Sequence, residues 1–361
     1  MMQRFSCTTQ IISGSGAVSA LKDMSVGRLL VVTDPFFYKN GTAQRIAEGA
    51  SPAATEYFHK VAPDPSVALT AEGTALVQAF TPDTILALGG GSAMDCAKAM
   101  AYFSGTKAKL IAIPTTSGSG SEVTDFAILT HNGVKHPLVD PRLRPDTAIL
   151  DSDLLKDLPP ALIADGGFDV LTHALEAYVA RDAGAITDAL ALDSFRETFR
   201  LLPQSYAGQR STRPGVHLAA TMAGMAFTQA GLGLCHALAH SLGGEFHIPH
   251  GRLNAILLPA VISRNASAAG SRYAQLARAV GLEGRADSVG VRNLRSALIR
   301  LRRELNLPAT LMQAGVSPAQ VRQKADSITK AALADPCCAT NPVPVTEGMI
   351  REILTEVTGY G

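Results

Sequence analysis

The chain has 361 residues, enough for two packed domains. At 47% hydrophobic and 17% charged it is a globular protein, which excludes a disordered one. The formal net charge is +1 and no Lys/Arg run stands out, so no nucleic-acid partner is expected.

Five scattered cysteines, Cys7, Cys96, Cys235, Cys337 and Cys338, form no CxxC pair and read as free thiols of a reducing compartment. The opening "MMQRFSCTTQIISGSG" lacks the apolar core of a signal peptide. The stretch "LAATMAGMAFTQAGLGL" is interrupted by Thr and Gln, too polar for a membrane span. A soluble cytoplasmic protein without membrane association is the expectation.

In chain order, "RLLVVTD" (28 to 34), "DTILALGGG" (83 to 91), "LIAIPTT" (110 to 116) and "TAILD" (147 to 151) read as buried strands, with helical patterns over 42 to 50, 67 to 80 and 93 to 103. Alternation of this kind predicts a parallel sheet covered by helices, with ligands beyond the carboxyl ends of the strands. "LKDLPPAL" (155 to 162) marks a boundary. Beyond it apolar residues recur at helical spacing over 168 to 180, 186 to 202, 216 to 242, 252 to 263 and 290 to 304. The expected fold is therefore α/β plus all-α. A Rossmann-like dinucleotide-binding domain (1 to 160) precedes a helical metal and substrate domain (161 to 361), with a cleft between the halves as a common place for a site.

"LALGGGSAMD" is a strand, a run of three glycines (Gly89, Gly90, Gly91) with Ser92, then a helix. Glycines let a phosphate approach the backbone, and a helix start offers N–H groups and partial positive charge. The pattern is not GxGxxG, and a tight strand-to-helix turn explains it equally well. "IPTTSGSGSEVT" (113 to 124) adds a second loop of small hydroxyl residues at a strand end, which suits a dinucleotide. Asp34 ends the strand "LLVVT", where a carboxylate can accept from ribose hydroxyls and repel a 2′-phosphate, favouring NAD. The alternative is an ordinary Asp-Pro turn, since Pro35 follows.

"GFDVLTHALEAY" places Asp169 and His173 four apart, on one helical face. "GLCHALAHSLGGEFHIPHG" carries four histidines. His236, His240 and His250 are spaced to gather around one point, if a helix over 216 to 242 ends at Gly243 and Gly244 and the chain turns back at Pro249. His247 has no partner in this scheme and reads as structural. Carboxylate and imidazole donors suit Fe(II) or Zn(II) without separating them. Such an ion with an open position lowers an alcohol's pKa, and hydride can leave to a nicotinamide.

Together, "GGGSAMD", "IPTTSGSGSEVTDFAIL", "GFDVLTHALEAY" and "GLCHALAHSLGGEFHIPHGRLNAILLP" resemble the iron-dependent (group III) alcohol dehydrogenases. Within that family the chain is most similar to the 1-propanol dehydrogenases of propanediol- and ethanolamine-utilisation microcompartments. The resemblance implies a metal held in the cleft by Asp169, His173, His236 and His250, with His240 near it to orient substrate or pass a proton. It implies NAD(H) at Asp34, at Gly90, Gly91, Ser92 and Asp95, at Thr115, Thr116 and Thr124, and at Lys135, which residue pattern alone reads as a solvated loop lysine. It further implies a homodimer, a short alcohol or aldehyde substrate (1-propanol/propanal or ethanol/acetaldehyde) and possible microcompartment association.

Departures from the family pattern are Phe168 in place of a common Met, Cys235 before His236, "PDPS" (63 to 66) in place of an Asn-Pro turn, and no Arg after Asn-Pro in "DPCCATNPVP". Adjacent helical side chains point about 100° apart, so Cys235 is not expected to ligate. Two other readings stand beside the dehydrogenase: a dehydroquinate-synthase-like lyase, and a non-catalytic microcompartment cargo protein.

Overall fold

The computed structural model describes residues 5–359 apart from 132–133. The chain divides into two compact units, 6–158 and 159 onward.

In the first unit eight strands are described: β1 (Gln10–Gly14), β2 (Arg28–Thr33), β3 (Ala54–Phe58), β4 (Thr84–Gly89), β5 (Lys109–Pro114), β6 (Phe126–His131), β7 (Val134–Val139) and β8 (Thr147–Asp151). Six form a parallel sheet in the order β1-β8-β5-β4-β2-β3. Helices α1 (Pro35–Lys39), α2 (Thr42–Gly49), α3 (Val67–Phe80) and α4 (Gly91–Ser104) intervene. Both sheet faces are buried, so its central strands are continuous apolar runs. Leu30, Val32, Ile85 and Ala87 pack on one side with Val77, Met94 and Met100. Leu29, Val31, Leu86 and Leu88 pack on the other with Ile46 and Ile113.

β2 has β3 on one side and β4 on the other. The strand order reverses there, and this is where parallel α/β sheets open a crevice at their carboxyl edge. The Thr33 hydroxyl donates to Leu88 O (2.8 Å) and ties the two strand ends together.

Strands β1 and β3 are short and half exposed, so their apolar signal is weak. The antiparallel pair β6–β7 was not expected. Lys135 lies on β7 with only 11% of its side chain exposed, which corrects its reading as a solvated loop residue.

The second unit is helical: α5 (Pro160–Val179), α6 (Ala185–Tyr206), α7 (Arg213–Ala230), α8 (Leu234–Phe246), α9 (His250–Ala279), α10 (Asp287–Glu304), α11 (Pro318–Ala334) and α12 (Glu347–Thr358). The single helix expected over 216 to 242 is two, α7 and α8, bent by 105°. Gly231 adopts φ 81°, ψ −178°, a conformation open to glycine and costly for other residues. Gly243 and Gly244 lie inside α8, contrary to expectation, and the helix ends when His247 turns left-handed (φ 54°). Its N–H closes onto Gly243 O (3.0 Å), which gives His247 its structural role.

Pro259 sits inside α9 and cannot donate to Ala255 O. The Arg302 side chain on α10 donates to that carbonyl instead (3.2 Å). Among the described residues no single helix is long and apolar enough to cross a membrane; only the bent α7–α8 pair passes by length and composition.

Candidate active site

Along α5, Asp165, Asp169, His173 and Glu176 follow one another at steps of four, four and three, a single helical face. All four are buried. Asp165 anchors the start of α9 through Arg252, whose guanidinium donates to both carboxylate oxygens (3.2 and 3.0 Å). Next to Arg252, Gly251 rests directly on the α5 backbone. His250, the first residue of α9, is thereby brought to Asp169.

Three imidazole Nε2 atoms converge on one oxygen, Asp169 Oδ1: His250 at 3.6 Å, His236 at 3.8 Å and His173 at 3.9 Å. These separations are too long for hydrogen bonds. They are close to the roughly 3.4 Å expected between donors that each sit about 2.1 Å from a shared tetrahedral ion. One ligand atom from each of Asp169, His173, His236 and His250 lies within 4.8 Å of the others. The donor set, one carboxylate and three imidazoles, fits a borderline divalent ion such as iron or zinc.

Neighbouring groups fix the donors. Asn254 Nδ2 donates to Asp169 Oδ1 (2.8 Å). The His173 ring stacks between those of Phe227 and His236, at 4.5 and 4.4 Å between centroids. Burial opposes charge on His236, but the Asp169 and Glu176 carboxylates outweigh it and push its pKa up to about 9. Burial likewise opposes the Asp169 carboxylate, and His173, His250 and His236 more than reverse this, holding its pKa below the usual range.

Cys235 is excluded as a ligand. Its Sγ faces Asn254 (3.6 Å to Oδ1), and burial, with Glu176 and Asp169 nearby, raises its thiol pKa well above normal. Phe168 is wholly buried in α5.

His240 lies one turn beyond His236 on α8 and stacks on His250 (5.2 Å, 15°). Its Nδ1 is 2.8 Å from Asp335 Oδ2. The other Asp335 oxygen accepts from Cys337 N (2.9 Å). Burial opposes the Asp335 charge, but the hydrogen bond from His240 wins and lowers its pKa to about 2. A carboxylate so held fixes the ring, with Nε2 directed away from it. Cys337 Sγ joins His240 and Asp335 in a second, less buried donor cluster.

In the first unit, Asp34, Gly90–Gly91 and Thr115–Thr116 follow the ends of the adjacent strands β2, β4 and β5. Asp34 Oδ1 caps α1, accepting from Phe36 N (2.8 Å) and Phe37 N (3.1 Å). Its Oδ2 faces Gly89, 3.7 Å from where a Cβ would stand. The turn reading is thus correct for one oxygen and leaves the other toward the glycine loop. A Cβ on Gly90 would approach Thr116 Oγ1 to 3.2 Å, and one on Gly91 would approach Ser119 to 3.1 Å. Side chains there would fill the cradle at the α4 N-terminus, where Ser92 lies in the first turn, so the loop suits a pyrophosphate.

Asp95 and Thr124 are engaged internally. Asp95 accepts from Ser121 Oγ (2.8 Å) and Ile128 N (3.1 Å). Buried Lys98 donates to Ser121 Oγ (2.8 Å), to Thr124 O and Oγ1 (3.0 Å each) and to Phe126 O (2.9 Å). Together they anchor the second loop to α4. Lys135 pairs with Asp64 (2.7 Å), which sits left-handed in the "PDPS" turn at φ 56°. An Asn there would supply the turn without that charge.

Sequence reasoning missed Glu176, Asn254, Asp335 and Lys98. The first two carried a signal, since Glu176 is three residues after His173 and Asn254 four after His250. Asp335 is 95 residues from His240, and nothing local announces it.

The chain is 40% identical to the 1-propanol dehydrogenase PduQ of Salmonella typhimurium, covering 99% of this chain and 100% of that one. It is 36% identical to an NADPH-dependent butanol dehydrogenase of Clostridium saccharobutylicum, covering 100% and 99%. The solved structure of sulfoacetaldehyde reductase from Bifidobacterium kashiwanohense in complex with NAD+ matches with a TM-score of 0.89 at 26% identity over 100% of both chains. Residues 8–152 match the family described as iron-containing alcohol dehydrogenase, and residues 163–358 match the C-terminal part of the Fe-containing alcohol dehydrogenase family. With both units accounted for in one family, the chain belongs to the iron-containing alcohol dehydrogenases, oxidoreductases that work with iron and NAD(H).

Proposed function

We propose that this chain interconverts short-chain primary alcohols and aldehydes, 1-propanol/propanal or ethanol/acetaldehyde, with Asp169, His173, His236 and His250 as ligands of one divalent ion. The observation that carries the reading is the convergence of three Nε2 atoms, at 3.6 to 3.9 Å, on a single carboxylate oxygen. Fe(II) is the family's ion, and Zn(II) is its competitor for such donors.

When bound, the ion would supply Lewis acidity toward an alcohol oxygen, and the nicotinamide would supply the hydride acceptor or donor. The protein's own part is to hold donors and move a proton. Asp335 fixes the His240 ring through Nδ1, leaving Nε2 to accept the hydroxyl proton in oxidation and return it in reduction. Asp34, Gly90, Gly91, Ser92, Thr115 and Thr116 hold the dinucleotide. Asp95 and Thr124 shape the second loop, and Lys135 steadies the 63–66 turn. The Asp34 carboxylate favours NAD over its 2′-phosphorylated form.

Similarity to PduQ, a 1-propanol dehydrogenase, supports the C3 substrate. A cytoplasmic homodimer that associates with a microcompartment is proposed on the family resemblance alone. Anaerobically purified protein loaded with Fe(II) should oxidise C2 to C4 primary alcohols and reduce their aldehydes with NADH. No turnover across that panel would overturn the reading. Light scattering tests the dimer.

A further inference from the structure

The Glu176 side chain on α5 is only 2% exposed. At the start of α8 its oxygens accept from Cys235 N (2.7 Å), Gly233 N (3.0 Å) and His236 N (3.4 Å). The His236 ring Nδ1 lies 2.6 Å from Oε2. Gly233 makes room for this arrangement, since a Cβ there would stand 2.7 Å from Glu176 Oε1.

A carboxylate gathering several N–H donors is an acceptor only. The proton shared with His236 therefore belongs to Nδ1. In the neutral ring Nε2 then carries a lone pair, and Nε2 is the atom 3.8 Å from Asp169 Oδ1. We propose that Glu176 is the positioning residue of the metal site. It locks His236 in its ligating tautomer and supplies a second negative charge, so that Asp169 and Glu176 together match a divalent ion. This inference rests on the four-residue ligand reading above. Outer carboxylates of this kind raise the basicity of the imidazole they hold, and their loss costs about 10- to 100-fold in metal affinity.

The test titrates metal-free wild-type protein and E176Q with Zn(II) against a competing chelator, with thermal unfolding of both metal-free proteins in parallel. The expected result is one ion per wild-type chain and about 10- to 100-fold weaker binding by E176Q. An amide also caps α8 less well, so E176Q should melt lower. N341S separates the two effects, because Asn341 Oδ1 accepts from Leu234 N (3.1 Å) at the same helix start without touching His236. It should lower the melting temperature and leave Zn(II) affinity at the wild-type value.

Equal affinity of E176Q and wild type would overturn the proposal, as would an N341S loss as large as that of E176Q. A wild-type protein that binds no divalent ion would overturn the ligand reading itself. If E176Q does not fold, nitrogen-15 histidine NMR of the Zn(II)-loaded wild type decides. A slowly exchanging Nδ1 proton on His236 supports the proposal, and an unprotonated Nδ1 refutes it.

Discussion

Gly251 lies so close to Asp165 that a Cβ added to it would come within 1.8 Å of the Asp165 carbonyl oxygen. The contact is to backbone, which cannot swing aside. Gly251→Ala must therefore push the first turn of α9, and with it His250, away from α5. Overpacking costs about 1–3 kcal/mol. The expected outcome is a lower melting temperature together with loss of bound iron, followed by differential scanning fluorimetry and metal analysis. Wild-type values for both would contradict the packing argument.

Arg302 supplies the hydrogen bond to Ala255 O that Pro259, inside α9, cannot give. Arg302→Met leaves Ala255 O without that donor, at a cost of about 1–3 kcal/mol for a buried polar group. Pro259→Ala restores an N–H to the same carbonyl. In a double-mutant cycle the pair should cost clearly less than the two single changes added together. Strict additivity in urea unfolding would show that the two donors do not share this acceptor.

Much of this architecture was legible in the chain itself. The stretches 28 to 34, 83 to 91, 110 to 116 and 147 to 151 contain β2, β4, β5 and β8, whose interiors are buried on both faces, so their apolar runs are unbroken. The i,i+4 pairs Asp169–His173 and His236–His240 announce a helical donor face for the same local reason. The α7–α8 bend was hidden because Gly231 and Gly233 sit within a stretch that keeps its apolar character, and φ is not written in composition. β6, which packs against α4, and its partner β7 were missed because they carry Thr, His, Lys and Pro. The Asp335–His240 and Glu176–His236 pairs depend on tertiary packing across 95 and 60 residues.

Asp34 carries two duties on separate oxygens. Asp34→Ser keeps a hydroxyl acceptor for the α1 cap, a preferred residue type at that position, while removing the charge that faces the glycine loop. The fold should hold. Preference for NADH over NADPH should fall by about tenfold or more, since about 1.4 kcal/mol of repulsion is a modest price for a phosphate beside a carboxylate. Steady-state kinetics with both cofactors checks this. An unchanged ratio would remove Asp34 from cofactor selection.

Lys98 gives a pH-dependent signature. Burial depresses its pKa to about 8, against the partial support of Asp95, Glu122 and Asp125. An unfolded lysine titrates near ~10.4. Between those values the unfolded chain holds the proton and the folded chain does not, so this contribution to stability rises with pH. The stability of wild type relative to Lys98→Met should increase by up to about 3 kcal/mol between pH 8 and 10.5. Urea unfolding of both proteins at the two ends of that window measures it. Parallel pH profiles would contradict the burial argument.

We propose that one divalent ion is held by Asp169, His173, His236 and His250. Anaerobic Fe(II) titration of metal-free wild type and His250→Ala, read by bound iron per chain, tests it most directly. The expected result is one ion per wild-type chain and at least about 100-fold weaker binding when His250 is lost. Equal iron binding by the two proteins would contradict it.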